Sequence, residues 1–273
     1  MPTAQLSLFE QFRADDPSLG DDGVVVAICE EILREAGATP PVDVELLVSL
    51  CGIVDVEYGR QLWSGMLFQR DGRLVARIRE DDGLERRRFT VLHEGGHTFL
   101  PGFRRARQHR CKGPKTLEEH LCDLAAAELL LPRNEFVLDA ARSDAGLAGV
   151  EQLAERYIAS HQATAVRLVT LSTEPVMLLV LRYGNKPSER GKDVACLPKL
   201  RLAWSVRQGT WPYPLPHKSV SRESPIARAW EHEVVDEIAN VDELLSHPQG
   251  PVLVSARRYG DSVLAMVRPL RFH

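Results

Sequence analysis

Arg88-Phe89-Thr90-Val91-Leu92-His93-Glu94-Gly95-Gly96-His97 is the stretch on which the reading of this chain turns. Phe89, Leu92, Gly96 and Phe99 recur at helical spacing from about Leu84 to Leu100, and Pro101-Gly102 ends the run. On that helix His93 and His97 lie one turn apart on one face, the H-E-x-x-H pattern in which two imidazoles share a metal ion. Zinc in a catalytic site takes three protein ligands and leaves a position open for water, whose pKa it lowers. Glu94 would be the base that takes the proton from that water. Gly95 and Gly96 each cost about 1 kcal/mol relative to alanine inside a helix, so they predict close approach by a neighbouring element.

A third ligand has to come from elsewhere. Leu100 and Phe103 stand where a metzincin would carry glycine and histidine, which excludes that subclass. A His2Glu site needs a glutamate on a following helix, and the helix expected over Leu117 to Leu131 offers Glu118, Glu119 and Glu128. Glu119 is preferred, because Asp123 lies one turn after it on the same face and could accept a hydrogen bond from a ligating imidazole. Thr116 and Glu119 also form a T-x-x-E capping box, which would account for Glu119 structurally, so the choice stays open.

These stretches resemble the ImmA/IrrE metallopeptidases. The resemblance runs through Pro41-Val-Asp-Val-Glu-Leu-Leu47, Arg88 to His97, Glu119-His-Leu-Cys-Asp-Leu-Ala-Ala-Ala-Glu-Leu-Leu-Leu-Pro132, Leu153-Ala-Glu-Arg-Tyr157 and Arg167-Leu168, and covers residues 24–172. It implies a minimal zincin-like core, a helical bundle with a small edge sheet. It also implies one zinc ion per chain held by His93, His97 and Glu119, Glu94 as catalytic acid/base, and a protein substrate of the helix-turn-helix repressor kind. Leu124, Ala125 and Ala126 depart from the family's common F-A-A, a change expected to affect packing only.

Around this core the chain reads as α+β. Residues 1–23 are expected to be a loose arm, 24–172 the metallopeptidase domain with a helix-turn-helix-like end, and 173–273 a β-rich domain with a sensory or substrate-recognising role. Helices are predicted over Val24 to Ala36, from Asp43 to Leu50, and over Val150 to Ile158 and His161 to Leu171 about the Ala159-Ser160 turn. A strand is predicted over Ile53 to Tyr58, and residues 63–69 and 73–79 flank an Asp71-Gly72 hairpin turn. Arg73 to Arg79, just before the metal helix, is the candidate edge strand for pairing with an extended substrate. Past Glu174 come strands at Val176 to Leu181, Val194 to Val206, Val252 to Arg257 and Val263 to Val267, with a helical insert around Ile226 to Leu245.

Composition narrows the alternatives. The 273 residues are 44% apolar and 26% charged, as in a globular protein, and a net charge of −4 argues against a dedicated nucleic-acid binder. No basic segment followed by an apolar one opens the chain, and no stretch is long and uncharged enough to span a bilayer, so a cytoplasmic protein is expected. Five cysteines, Cys29, Cys51, Cys111, Cys122 and Cys196, suit a reducing compartment without disulfides. Arg104, Arg105, Arg107, Arg110, Lys112 and Lys115 form a basic loop between the two site helices, read as a solvated loop rather than a steering surface. A second zinc site from His109, Cys111, His120 and Cys122 is disfavoured, because positions two apart on a helix face apart. Cys111 is read as an ordinary thiol. Against the peptidase stand a metal-binding regulator with little turnover and a DNA-associated protein using the Ala159-Ser160 turn. That turn lacks a basic recognition face, so bundle packing is expected of its helices.

Overall fold

The computed structural model describes residues 6–102, 108–109, 116–189 and 198–270. Cys111, Cys196 and the basic residues Arg104, Arg105, Arg107, Arg110, Lys112 and Lys115 lie outside the described residues, as do the side chains of Gln108 and His109. The chain divides into two compact units, Met1–Leu138 with Ala154–Ser160, and Asp139–Leu153 with His161–His273.

The first unit starts earlier than expected. Helix α1 (Leu8–Asp15) occupies the supposed loose arm, because Ser7 and Glu10 close a capping box at its start and Phe9 N–H donates to the Phe99 carbonyl at 3.0 Å. Helix α2 (Asp21–Glu35) buries Val24, Val25, Ile28, Cys29 and Ile32, and Gly37, at φ +55°, lets the chain turn off its end. Helix α3 (Val44–Leu50) begins where the Asp43 carboxylate accepts from Leu46 N–H.

Strands β1 (Ile53–Gly59), β2 (Gly65–Arg70), β3 (Arg73–Arg79) and β4 (Gln108–His109) form a sheet in the order β1-β3-β2-β4. Asp71 and Gly72 both have positive φ, 51° and 78°, and close the two-residue β2–β3 hairpin that the sequence predicts. β3 is not the edge strand it was expected to be. It lies inside the sheet, parallel to β1 and antiparallel to β2, with Leu74, Val75, Ala76 and Ile78 buried. Three consecutive buried residues mark a strand covered on both faces. Helix α4 (Leu84–His97) packs on β2 and β3, α5 (Leu117–Leu130) crosses α4, and α6 (Arg133–Ala140) follows Pro132 directly. The Phe136 and Tyr157 rings meet at 5.4 Å within this unit.

The second unit is built on an antiparallel sheet of β5 (Val176–Gly184), β6 (Lys199–Gln208), β7 (Val235–Asn240), β8 (Pro251–Tyr259) and β9 (Ser262–Pro269), ordered β6-β5-β9-β8-β7. The neighbouring interior strands β5 and β9 are apolar on both faces. Met177, Leu179, Leu181, Val263, Ala265 and Val267 join a core with Ile226 and Ala229 of α9 (Pro225–Trp230). Leu178, Val180, Leu264 and Met266 join another with Leu147 and Val150 of α7 (Leu147–Tyr157) and with Ala165 and Val169 of α8 (His161–Leu171). This second core explains why the structural division comes before the composition change at 172: α8 is spent on the sheet. The expected helical insert over 226–245 is corrected as well. Only α9 and a single 3-10 turn at Asp242–Leu244 are helical there, and residues 235–240 pair with β8 as an edge strand through contacts remote in sequence. Among the described residues no helix is long and apolar enough to cross a membrane.

Candidate metal centre

Every residue of α4 from Thr90 to His97 is buried. A helix on a surface would show one apolar stripe, whereas here His93, Glu94 and His97 are enclosed with it at 0–1% exposure. Burying three ionisable groups in one turn is costly unless they meet partners. The glycines make room for those partners. A Cβ on Gly96 would stand 3.0 Å from both Cys122 Cα and Ala125 Cβ of α5, and one on Gly95 would meet Cys51 Sγ at 3.3 Å. Gly96→Ala is therefore expected to force α4 and α5 apart. Against alanine's better helix propensity, a net loss of about 1–2 kcal/mol is expected in urea unfolding, and unchanged stability would show that the helices part freely.

α5 supplies the partners. Asp123 Oδ1 is 2.9 Å from His93 Nδ1, and Glu118 Oε1 is 3.3 Å from His97 Nδ1. The Glu119 carboxylate faces the other ring nitrogens, with Oε2 3.5 Å from His93 Nε2 and Oε1 3.9 Å from His97 Nε2. Thr116 Oγ1 accepts from Glu119 N–H at 3.2 Å. The cap therefore uses the backbone of Glu119 and leaves its carboxylate facing the histidines. Glu128 stands apart, pairing with Arg133 at 3.1 Å and lining a cavity of about 410 Å³ with residues of α2 and α6. His120 Nε2 lies 3.1 Å from Asp22 Oδ1, away from Cys122, whose Sγ sits 3.2 Å from His97 Nδ1.

The donor set suits a divalent cation. His93 Nε2 is buried without a hydrogen bond among the described residues. Donors sharing a tetrahedral zinc ion at about 2.0–2.1 Å lie roughly 3.3–3.4 Å apart, close to the separations from Glu119 to the two imidazoles. Burial lowers the His93 pKa, but Asp123, Glu119 and Glu94 outweigh it and push the imidazole up to about 9. Burial, reinforced by the carboxylates of Glu119, Glu118, Glu94 and Asp123, raises the Cys122 thiol. Such a concentration of negative charge favours a cation. By proximity alone, His93, His97 and Cys122 also make a buried group that can hold a metal, with ligand atoms within 4.8 Å of one another.

Two residues of this site escaped the sequence. Gly65 opens β2 where a side chain would collide with the Glu94 carboxylate and with Thr90, so the strand backbone runs directly beside Glu94. A glycine inside a strand pattern is the signal of such close approach. In the sequence Cys122 reads only as part of a separate site with His120, although its place three residues after Glu119 sets it on the same face of α5.

The first unit is thus a zincin-like α+β domain organised about an H-E-x-x-H helix, followed by a β-rich unit. Residues 57–169 match the model of the IrrE N-terminal-like domain, peptidase family M78. A solved structure of a Mycobacterium tuberculosis transcriptional regulator is similar, with a TM-score of 0.58 at 11% identity, over 96% of this chain and 79% of that one. At that identity the likeness is one of fold. No curated protein matches the chain.

Proposed function

We propose that the chain is a zinc-dependent, site-specific endopeptidase holding one ion through His93, His97 and Glu119. The observation that carries this reading is the Glu119 carboxylate, 3.5 and 3.9 Å from the two Nε2 atoms, with Glu94 on the same turn of α4. Asp123 accepts the Nδ1 proton of His93 and so turns Nε2 toward the site. When bound, zinc polarises a peptide carbonyl and acidifies water. Glu94 accepts the proton of the attacking water on its carboxylate and returns it to the leaving amine. Cys122 is the weaker third ligand, because its sulfur lies against His97 Nδ1 rather than Nε2. Glu119→Gln is expected to weaken zinc binding far more than Glu118→Gln, Glu128→Gln or Cys122→Ala. Equal losses at Cys122 would move the ligand role to sulfur.

The proposed substrate is a helix-turn-helix repressor, on the strength of the family resemblance and of a fold relative titled a transcriptional regulator. The second unit, with its own core, is assigned a sensory or substrate-recognising role. A zinc-loaded preparation should make one discrete cut in a repressor encoded beside it, stopped by a chelator, and should leave casein intact. Comparable degradation of casein would refute site specificity. That same relative's title favours a second reading, a metal-binding regulator with little turnover, which predicts tight repressor binding without a cut. DNA binding through α8 is disfavoured, since Arg167 on that helix is buried at 4% exposure.

A further inference from the structure

His97 Nδ1 has two neighbours on α5, Glu118 Oε1 at 3.3 Å and Cys122 Sγ at 3.2 Å. They ask for opposite tautomers. An ionised carboxylate only accepts, so opposite Glu118 the imidazole carries its proton on Nδ1 and leaves Nε2 bare. A thiol donating to Nδ1 would leave the proton on Nε2, and that ring cannot ligate through Nε2. Bond strength decides between them. A hydrogen bond to a carboxylate is about twice as strong as a neutral one, whereas S–H is a weak donor.

We propose that Glu118 is the positioning residue of His97, accepting its Nδ1 proton and holding it in the tautomer whose Nε2 faces Glu119. This rests on the reading of His97 as a metal ligand. Glu118 then does for His97 what Asp123, at 2.9 Å, does for His93, and α5 supplies both orienting carboxylates as well as Glu119 between them. Two plainer accounts compete. As an acidic residue in the first turn of α5, Glu118 could merely complement the helix dipole. As a carboxylate near the site it could be a direct ligand, but its oxygen sits at Nδ1, on the ring edge away from the Glu119 contact.

The test uses the full-length protein and reads zinc affinity by chelator competition, the visible spectrum of the cobalt-substituted protein, and the ring-nitrogen chemical shifts of His97. Glu118→Ala is expected to weaken zinc binding about tenfold or more and to move the His97 shifts away from the Nδ1–H form. Glu118→Gln, whose amide oxygen still accepts, should remain close to wild type with an unchanged cobalt spectrum. Adding Cys122→Ala to Glu118→Ala should recover part of the loss, because the competing tautomer then loses its hydrogen bond. Unchanged affinity and unchanged His97 shifts in Glu118→Ala would overturn the proposal and leave the dipole account. A loss in Glu118→Gln as large as in Glu118→Ala, with an altered cobalt spectrum, would overturn it in favour of direct ligation. His97→Ala separates the two levels. If that variant keeps its zinc, the metal-site reading itself fails; if it loses zinc while Glu118→Ala is unaffected, only the role of Glu118 falls.

Discussion

Glu94→Gln is expected to bind zinc as the wild type does and to cut its protein substrate at least about a hundredfold more slowly. The amide has nearly the shape of the carboxylate, which matters because Glu94 is 1% exposed and wedged beside Gly65 and Thr90. A smaller residue would open a cavity there and confuse chemistry with packing. Glutamine keeps the volume and removes only the capacity to take a proton. The measurement is paired, with zinc content and affinity on one side and the rate of the single repressor cut on the other. Cleavage at the wild-type rate by a zinc-replete Glu94→Gln protein would remove Glu94 from the role of base.

The second large effect is on the metal itself. His93→Ala combined with His97→Ala should abolish zinc binding, since it deletes both imidazoles and leaves only carboxylates and a buried thiol of raised pKa. Partial retention is not expected, because in the proposed site the two Nε2 atoms, which both face Glu119, would share one ion. Circular dichroism must show that the double variant is folded, as the deletions empty space in the Thr90–His97 half of α4, where every residue is buried. Undiminished zinc in a folded double variant would end the assignment of this site.

Much of this architecture is written in local pattern. The H-E-x-x-H helix, the second helix capped by Thr116, the Asp71-Gly72 hairpin and the Asp43 cap follow from neighbours within four residues of one another, where spacing and turn chemistry act directly. The Ser7–Glu10 capping box was equally local, and the charged residues after it hid it behind the look of a loose arm. Gly95 and Gly96 announced close contact from their cost alone, and Gly65 carried the same signal in a strand.

Long-range pairing was not legible in that way. β3 lies inside its sheet because β1, some twenty residues earlier, pairs with it in parallel, and 235–240 is a strand because β8 offers an edge. The site divides along the same line. The amino-acid sequence by itself determined that two histidines share a helical face and that a second helix brings carboxylates to them. Glu118 and Glu119 are adjacent, however, and about 100° apart around α5. Only the crossing of α5 over α4, as close as Gly96 permits, decided that Glu119 faces the Nε2 atoms while Glu118 and Cys122 meet His97 at Nδ1, because which ring nitrogen a side chain reaches depends on the placement of two helices in space.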